Sequence, residues 1–382
     1  MRKVCILGVL VALSQGVEIT FGSCAGMFGK EKEGIWKAVQ SRSPDAFVWL
    51  GDAVYADEMV LPLVFRPVDE ERWRAKYERS KNAPGYRELR EKVRILGVWD
   101  DHDYGANNEN RFFAHKELSK RLFLEFLDEP VGSVRYQREG IYESYVFVEG
   151  SIRIKVILLD NRTYLDPNGR DADVLGEIQW AWLEQELKDT GIGLFIIMNG
   201  MQINVEDRLT VTEQWYPKSR KRLLGLLQKH SNSILVSGDV HHSEILEVCC
   251  NSYRVIEFTS SGLTHSVSGT YGKLTCWLID FWYPYTTNLT PRTYTESFGS
   301  IHVKANGKIE LRALDENGET VLEHSLWVQD LSEVQENKWY CEMGLWRRRL
   351  GHWSSFLLVF VAPWASWVLS SFLLIRKYSN SY

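Results

Sequence analysis

Val98-Trp99-Asp100-Asp101-His102-Asp103-Tyr104-Gly105-Ala106-Asn107-Asn108 decides how the rest of the chain is read. An apolar run, Arg94-Ile95-Leu96-Gly97-Val98, leads into it and predicts a strand. The strand stops in three carboxylates around one imidazole. Like charges this dense repel unless a cation or several donors hold them. Such a cluster, followed by a turn at Gly105, reads either as an acidic turn capping the next helix or as a ligand-bearing loop at the C-terminal edge of a sheet.

The other strands separate these readings. Ile19-Thr20-Phe21 opens into Gly22-Ser23-Cys24-Ala25-Gly26. Ala46-Phe47-Val48-Trp49-Leu50 has the continuous apolar character of a buried parallel strand and ends at Gly51-Asp52-Ala53-Val54-Tyr55-Ala56-Asp57. A hairpin around Glu149-Gly150-Ser151 ends at Asp160-Asn161-Arg162, Leu194 to Met198 ends at Asn199, and Ile234 to Val236 ends at Asp239-Val240-His241-His242. Helical patterns lie between, over Glu31 to Gln40, Arg111 to Phe126, Gly176 to Lys188 and Ser219 to Lys229, with Phe112, Leu118 and Leu122 expected on a core face. Late hairpins turn at Asn306-Gly307 and Asn317-Gly318. Strands alternating with helices predict an α/β fold with ligands beyond the strand ends. One Gly-Asp turn, or one Cys in a small loop, has an ordinary packing explanation. Oxygen, nitrogen and sulfur donors recurring at one edge point to cations, and Tyr and Cys donors favour ferric iron among them. A pair of cations would neutralise the carboxylates and polarise water, which suits phosphoryl hydrolysis.

Composition sets outer bounds. The chain has 382 residues and a net charge of -5, which argues against a nucleic-acid partner read through phosphates. Met1-Arg2-Lys3 and the apolar run Val4 to Leu13 resemble a secretory signal over 1–16. Phe356 to Ile375 lacks charge and matches the ~20 residues of a membrane helix. The expected layout is a lumenal or extracellular body over 17–330, a juxtamembrane stretch 331–353, a membrane helix 354–375 and a cytosolic tail 376–382, a single-pass type I arrangement in the secretory pathway. Cys249, Cys250, Cys276 and Cys341 are candidates for disulfides in that setting, and Asn288-Leu289-Thr290 is a candidate glycosylation site.

Five stretches together resemble the PhoD-type alkaline phosphatases, within the metallophosphoesterases and akin to purple acid phosphatases. They are Phe21-Gly22-Ser23-Cys24, Gly51 to Asp57, Trp99 to Asp103 with Asn107-Asn108, Leu159 to Tyr164, and Ser237 to His241. The resemblance covers about Ile19 to Leu326. It implies an α/β/β/α sandwich with the metal site at the strand C-terminal edges, acting on small phosphate esters. It also implies roles. Asp52 bridges two metals, Tyr55 and Cys24 bind ferric iron, and Asp101 binds the second cation. Asp239 and His241 complete the shell, while His102 and Arg162 face the phosphate. The implied pair is Fe3+ with Ca2+, with Mn2+ or Zn2+ as alternatives. Asn107 or Asn199 is a candidate further ligand. Asp57, Asp100 and Asp103 are candidates either for further metal ligands or for groups one layer behind them, with helix capping as the ordinary alternative for Asp57 and Asp103; His242 is placed beside the ligands and His265 at the pocket wall. The chain departs from the family in lacking the N-terminal β domain of bacterial forms and a twin-arginine signal, and in adding the C-terminal apolar segment. Two other readings stay open: a phosphodiesterase or phospholipase D-like enzyme on lipid head groups, and a non-catalytic, metal-stabilised binding ectodomain.

Overall fold

The computed structural model describes residues 16–26, 32–61, 64–167, 171–205, 214–230, 232–250, 253–282 and 290–331. The leader up to residue 15, Asn288, Cys341 and everything expected of 332–382 lie outside them. Among the described residues no helix is long and apolar enough to cross a membrane.

In chain order the elements are β1 Val17–Gly22, α1 Glu33–Ser41, β2 Ala46–Leu50, β3 Asp57–Leu61, β4 Val64–Pro67, α2 Glu70–Lys81, α3 Tyr86–Arg90, β5 Arg94–Val98, α4 Asp101–Tyr104, α5 Lys116–Phe126 and α6 Val134–Gln137. Then come β6 Glu143–Glu149, β7 Ile152–Leu158, α7 Gly176–Leu187, β8 Leu194–Met198, α8 Pro217–Leu227, β9 Ser233–Ser237, β10 Ser243–Cys250, β11 Tyr253–Ser260, α9 Val267–Trp282, β12 Phe298–Val303, β13 Lys308–Leu314 and β14 Thr320–Trp327.

Two six-stranded sheets form, ordered β14-β13-β12-β1-β2-β5 and β10-β11-β9-β8-β7-β6. Within the first, β1, β2 and β5 run parallel. Within the second, β7, β8, β9 and β11 do. The sheets pack face to face, because alternate residues of each strand point to opposite sides. Ile196, Met198 and Val236 join the core shared with the first sheet. Phe195, Ile197 and Leu235 turn the other way, onto Trp180 and Leu183 of α7 and Leu223 of α8. Phe21 and Phe258 meet edge-on between the sheets, ring centroids 5.2 Å apart. On the outside of the first sheet, Trp36 of α1 meets Phe47 and Trp49, and the Trp49 indole donates to the Tyr86 hydroxyl of α3. The result is the expected α/β/β/α order of layers. It also sets the C-terminal edges of both parallel sets at one site.

Three local expectations change. The helix predicted from Arg111 starts at Lys116, and Phe112, expected in the core, is 70% exposed. Phe113 is buried instead, its ring against Tyr104 and Trp73. A hairpin, β3 with β4, and the helical segment α9, broken at Gly272 (φ 78°, ψ 172°), arise where no element was expected. Cys276 is an unpaired thiol, not half of a disulfide.

Phe123 is fully buried among Trp99, Tyr77 and Phe126. Phe123→Ala should lower unfolding free energy by ~3–5 kcal/mol. Phe112→Ala should stay within ~0.5 kcal/mol of wild type in the same denaturant titration.

Candidate metal centre

Each donor loop starts where a parallel strand stops. Cys24 follows β1, Asp52 follows β2, and Asp100 to His102 follow β5. From the second sheet, Asp239 and His241 follow β9, and His265 follows β11. The loops turn through left-handed backbone at residues that seldom adopt it: Cys24 has φ 61°, Asp52 50°, Asp239 70° and His241 59°. Non-glycine residues are held this way only where their surroundings demand it, and such strain gathers at functional sites.

Donor atoms converge into three overlapping groups, each drawn together within 4.8 Å: Cys24, Asp52 and His241; Asp52, Asp101 and His102; Asp100, Asp101 and Asp239. Asp52 is common to the first two and Asp101 to the last two. The Cys24 thiol donates to Asp52 Oδ2 at 3.4 Å and lies 3.1 Å from Ser261 Oγ, which accepts the His241 backbone N–H at 2.7 Å. The Tyr55 hydroxyl lies 3.3 Å from both His241 Nε2 and His265 Nδ1.

The electrostatics are those of a site short of positive charge. Burial, then the nearby Cys24, Asp101, Asp100 and Asp103, push the Asp52 carboxyl well above the usual range. Burial pushes the Cys24 thiol up to about 11 and the Tyr55 phenol well above its ordinary value. Burial also holds His241 well below the ordinary imidazole value, so its ring is neutral, the form that ligates metal. Asp52 Oδ1 and Asp100 Oδ2 are buried with no hydrogen-bond partner. Buried polar atoms are nearly always satisfied. Two orphaned carboxylate oxygens, beside thiol, phenol and neutral imidazole, therefore fit bound cations.

Several expected residues serve behind that edge. Asp103 is buried and accepts N–H bonds from Ala53 (3.2 Å) and Val54 (3.1 Å) and the Tyr77 hydroxyl (3.2 Å), fixing the loop that carries Asp52 and Tyr55. Asp57 holds His102 Nδ1 at 2.8 Å and accepts the Asn107 backbone N–H at 2.9 Å. Asn107 itself is exposed. The Asn199 amide is engaged by the Trp215 indole at 2.8 Å and by Val236 O at 3.2 Å, which suits support rather than ligation. Asp100 accepts from Asn161 Nδ2 at 2.9 Å and Arg162 Nε at 2.5 Å, and a Cβ on Gly51 or Gly200 would fall 2.3 and 2.5 Å from its side-chain carbons.

Arg162, expected to face phosphate, is fully buried and turned to Asp100, with Nη2 3.8 Å from Asp101. In this position it orients carboxylates. Asn161 fits the glycosylation pattern but is fully buried, which rules out modification in the fold. Asp160 takes the Trp99 indole, the Ile141 and Thr163 N–H groups and the Thr163 hydroxyl, and so closes a turn. His242 donates from Nδ1 to Val240 O at 2.9 Å, away from the donor groups. Sequence reasoning passed over Ser261 altogether. Its only signal was a small polar residue after a strand that ends at the same edge.

A family model described as PhoD-like phosphatase matches residues 19–326. No curated protein matches the chain. Among solved structures, PhoD is similar at 14% identity and TM-score 0.63, covering 83% of this chain and 69% of that one. A purple acid phosphatase from yellow lupin seeds (Lupinus luteus) is similar at 11% identity and TM-score 0.54, covering 83% and 55%. GAP50, the anchor in the inner membrane complex of Plasmodium, is similar at 13% identity and TM-score 0.50, covering 89% and 94%. At these identities the likeness is one of fold.

The titrations set a sign for stability in metal-stripped protein. Burial opposes charge on His102, but Asp101, Asp57 and Asp100 outweigh it and raise the imidazole from 6.5 to about 9. Burial likewise raises Asp103 from 3.8 to about 7. A raised folded-state value contributes stability below the unfolded value and loses it as pH rises through the folded one. His241 and His265, both depressed, act oppositely but only below 6.5, where their unfolded forms take up protons. Between pH 6.5 and 9 the net sign is therefore loss. Chelator-treated protein should show a falling Tm across that window by calorimetry. Added divalent metal should raise Tm more at its alkaline end, because cations compete with protons for these groups.

Proposed function

The chain belongs to the PhoD-like phosphatase family, and from that premise we propose that it hydrolyses small phosphate esters at a two-cation centre built on Asp52 and Asp101. It is a phosphoric ester hydrolase of a metal-dependent kind. The observation that supports two cations is the sharing of Asp52 and Asp101 among three overlapping donor groups. One cation would be held by Cys24, Asp52, Tyr55 and His241, a set that suits Fe3+. The other would be held by Asp52, Asp101 and Asp239, an oxygen set that suits Ca2+, with Mn2+ or Zn2+ as alternatives. Cations there would supply neutralisation of phosphate charge and a nucleophile drawn from water near neutral pH.

The chain's own groups do the remainder. Asp57 fixes the His102 ring through Nδ1 and leaves Nε2 for the substrate. Held as imidazolium, that ring donates a hydrogen bond to a phosphate oxygen and a proton to the leaving group. Arg162 and Asn161 fix the Asp100 carboxylate, and Arg162 also steadies Asp101. The Tyr55 ring lies 4.3 Å from that of His102, so the ligand and the proton donor are positioned together.

We place this body on the lumenal or extracellular side of a membrane. The support is the leader-like 1–16 and the uncharged apolar run Phe356 to Ile375.

Asp52→Asn removes the shared charge. In the purified full chain it should release metal, read by elemental analysis, and cut p-nitrophenyl phosphate hydrolysis by about a thousandfold or more. Unchanged turnover would overturn the proposal. Metal retained in wild type with no hydrolysis of any ester would favour the binding ectodomain.

A further inference from the structure

His265 stands against two residues of the centre, yet neither cation set proposed above uses it. It is buried, and its Nδ1 lies 3.3 Å from the Tyr55 hydroxyl. Its ring meets the Tyr55 ring edge-on, centroids 5.8 Å apart, and lies 4.2 Å from that of His241. Among the described residues, none of the three donor groups includes it. The loop that carries it is fastened on two sides. β11 runs parallel to β9, so residues 261–267 leave the sheet beside the loop of Asp239 and His241. The Leu263 N–H donates to Ser23 O at 2.9 Å and the Thr264 N–H to Cys24 O at 3.3 Å. The Thr264 hydroxyl accepts the Gly26 N–H at 2.8 Å, and the Val267 N–H donates to His241 O at 3.0 Å. Gly262 turns the chain at φ 91°, where a Cβ would fall 3.1 Å from His241 O. The imidazole is therefore held by the same two loops that supply Cys24 and His241.

We propose that His265 is a positioning residue, whose Nδ1–H donates a hydrogen bond to the Tyr55 oxygen when Tyr55 and His241 bind a cation. The inference rests on the two-cation reading above and adds to it a residue behind the ligands. Two imidazole nitrogens, His241 Nε2 and His265 Nδ1, lie 3.3 Å from one oxygen. With a cation bound, His241 Nε2 commits its lone pair to the metal and carries no proton. Tyr55 then ligates as the phenolate and has no proton of its own to donate. Its buried oxygen keeps lone-pair capacity that calls for a donor. Of the two nitrogens, only His265 Nδ1 is left to carry a hydrogen and supply it. Hydrogen-bond partners placed behind metal ligands fix the direction of those ligands and tune their basicity. The Tyr55 main chain is already tied, because Lys76 Nζ donates to its carbonyl at 2.9 Å. His265 ties the far end of the same side chain.

The test titrates the chelator-treated full chain with Zn2+ alone, in competition with a chromophoric chelator. Zn2+ takes thiolate and imidazole ligands readily, so its tight site is the one with Cys24 and His241. His265→Ala should weaken that affinity about tenfold to a hundredfold, the usual cost of losing a partner behind a ligand. The loss should depend on the Tyr55 oxygen. In a Tyr55→Phe background the same substitution should cost nothing further, whereas a merely structural role would give the same loss in both backgrounds. His265→Asn keeps an N–H near the Nδ1 position and should bind Zn2+ nearly as wild type does. His265→Gln carries its amide one bond farther out and should bind as weakly as His265→Ala. The two amides also decide the matter should the alanine variant not fold. Unaltered affinity in His265→Ala, equal losses with and without the Tyr55 hydroxyl, equal affinities of the Asn and Gln variants, or wild-type affinity in Tyr55→Phe would overturn the inference. Absence of Zn2+ binding by wild type would overturn the two-cation reading instead.

Discussion

Asp52, Asp100 and Asp101 are buried together, and that concentration of carboxylate governs the structure around it. An isolated buried carboxylate costs several kcal/mol in desolvation, and a like charge nearby adds to the cost. The fold answers from two sides. Arg162 and Asn161 close on one oxygen of Asp100, and the backbone N–H groups of His102 and Asn108 donate to Asp101. Asp52 Oδ1 and Asp100 Oδ2 keep no such partner. The protein supplies that part of the compensation itself, and bound cations would supply charge of the sign that the two remaining oxygens call for.

The same requirement explains the backbone. Aiming Cys24, Asp52, Asp239 and His241 inward needs left-handed φ at each, at a cost of order 1–3 kcal/mol per residue. Glycines clear the space around them. A side chain at Gly238 would fall 2.6 Å from Ser23 Oγ, and one at Gly51 or Gly200 would strike Asp100. Asp103 adds the clamp that keeps Asp52 and Tyr55 in place.

Much of this was legible in the residues, for physical reasons. Buried parallel strands read as unbroken apolar runs, so Ala46–Leu50, Arg94–Val98 and Leu194–Met198 were placed to the residue. Their ends carry the chemistry, so Cys24, Asp52, Asp101, Asp239 and His241 stood out by residue type. What residue type could not show was direction. Arg162 has the chemistry of a phosphate clamp, yet its side chain turns into the protein because Asp100 needs a counter-charge there. Asp160 has the chemistry of a ligand, yet the Trp99 indole and local N–H groups use its oxygens. Phe112 and Phe113 are neighbours of one residue type, and the helix start at Lys116 decides which is buried. The β3–β4 hairpin escaped notice because exposed apolar residues carry no alternation between a wet and a dry face.

The site also joins the two sheets. The first sheet brings Cys24, Asp52, Asp100, Asp101 and His102, and the second brings Asp239, His241 and His265. Two of the three donor groups draw members from both, Cys24 and Asp52 with His241, and Asp100 and Asp101 with Asp239. Separation of the sheets would dismantle the centre before either sheet lost its own strand pairing. Whatever binds these donors only in the folded state stabilises the docked arrangement by mass action. The carboxylate repulsion that weakens the edge without cations thereby becomes, with them, a force across the sandwich. Packing at Phe21 and Phe258, in the shared core, aligns the two edges, and the donors at those edges tie the packing in return.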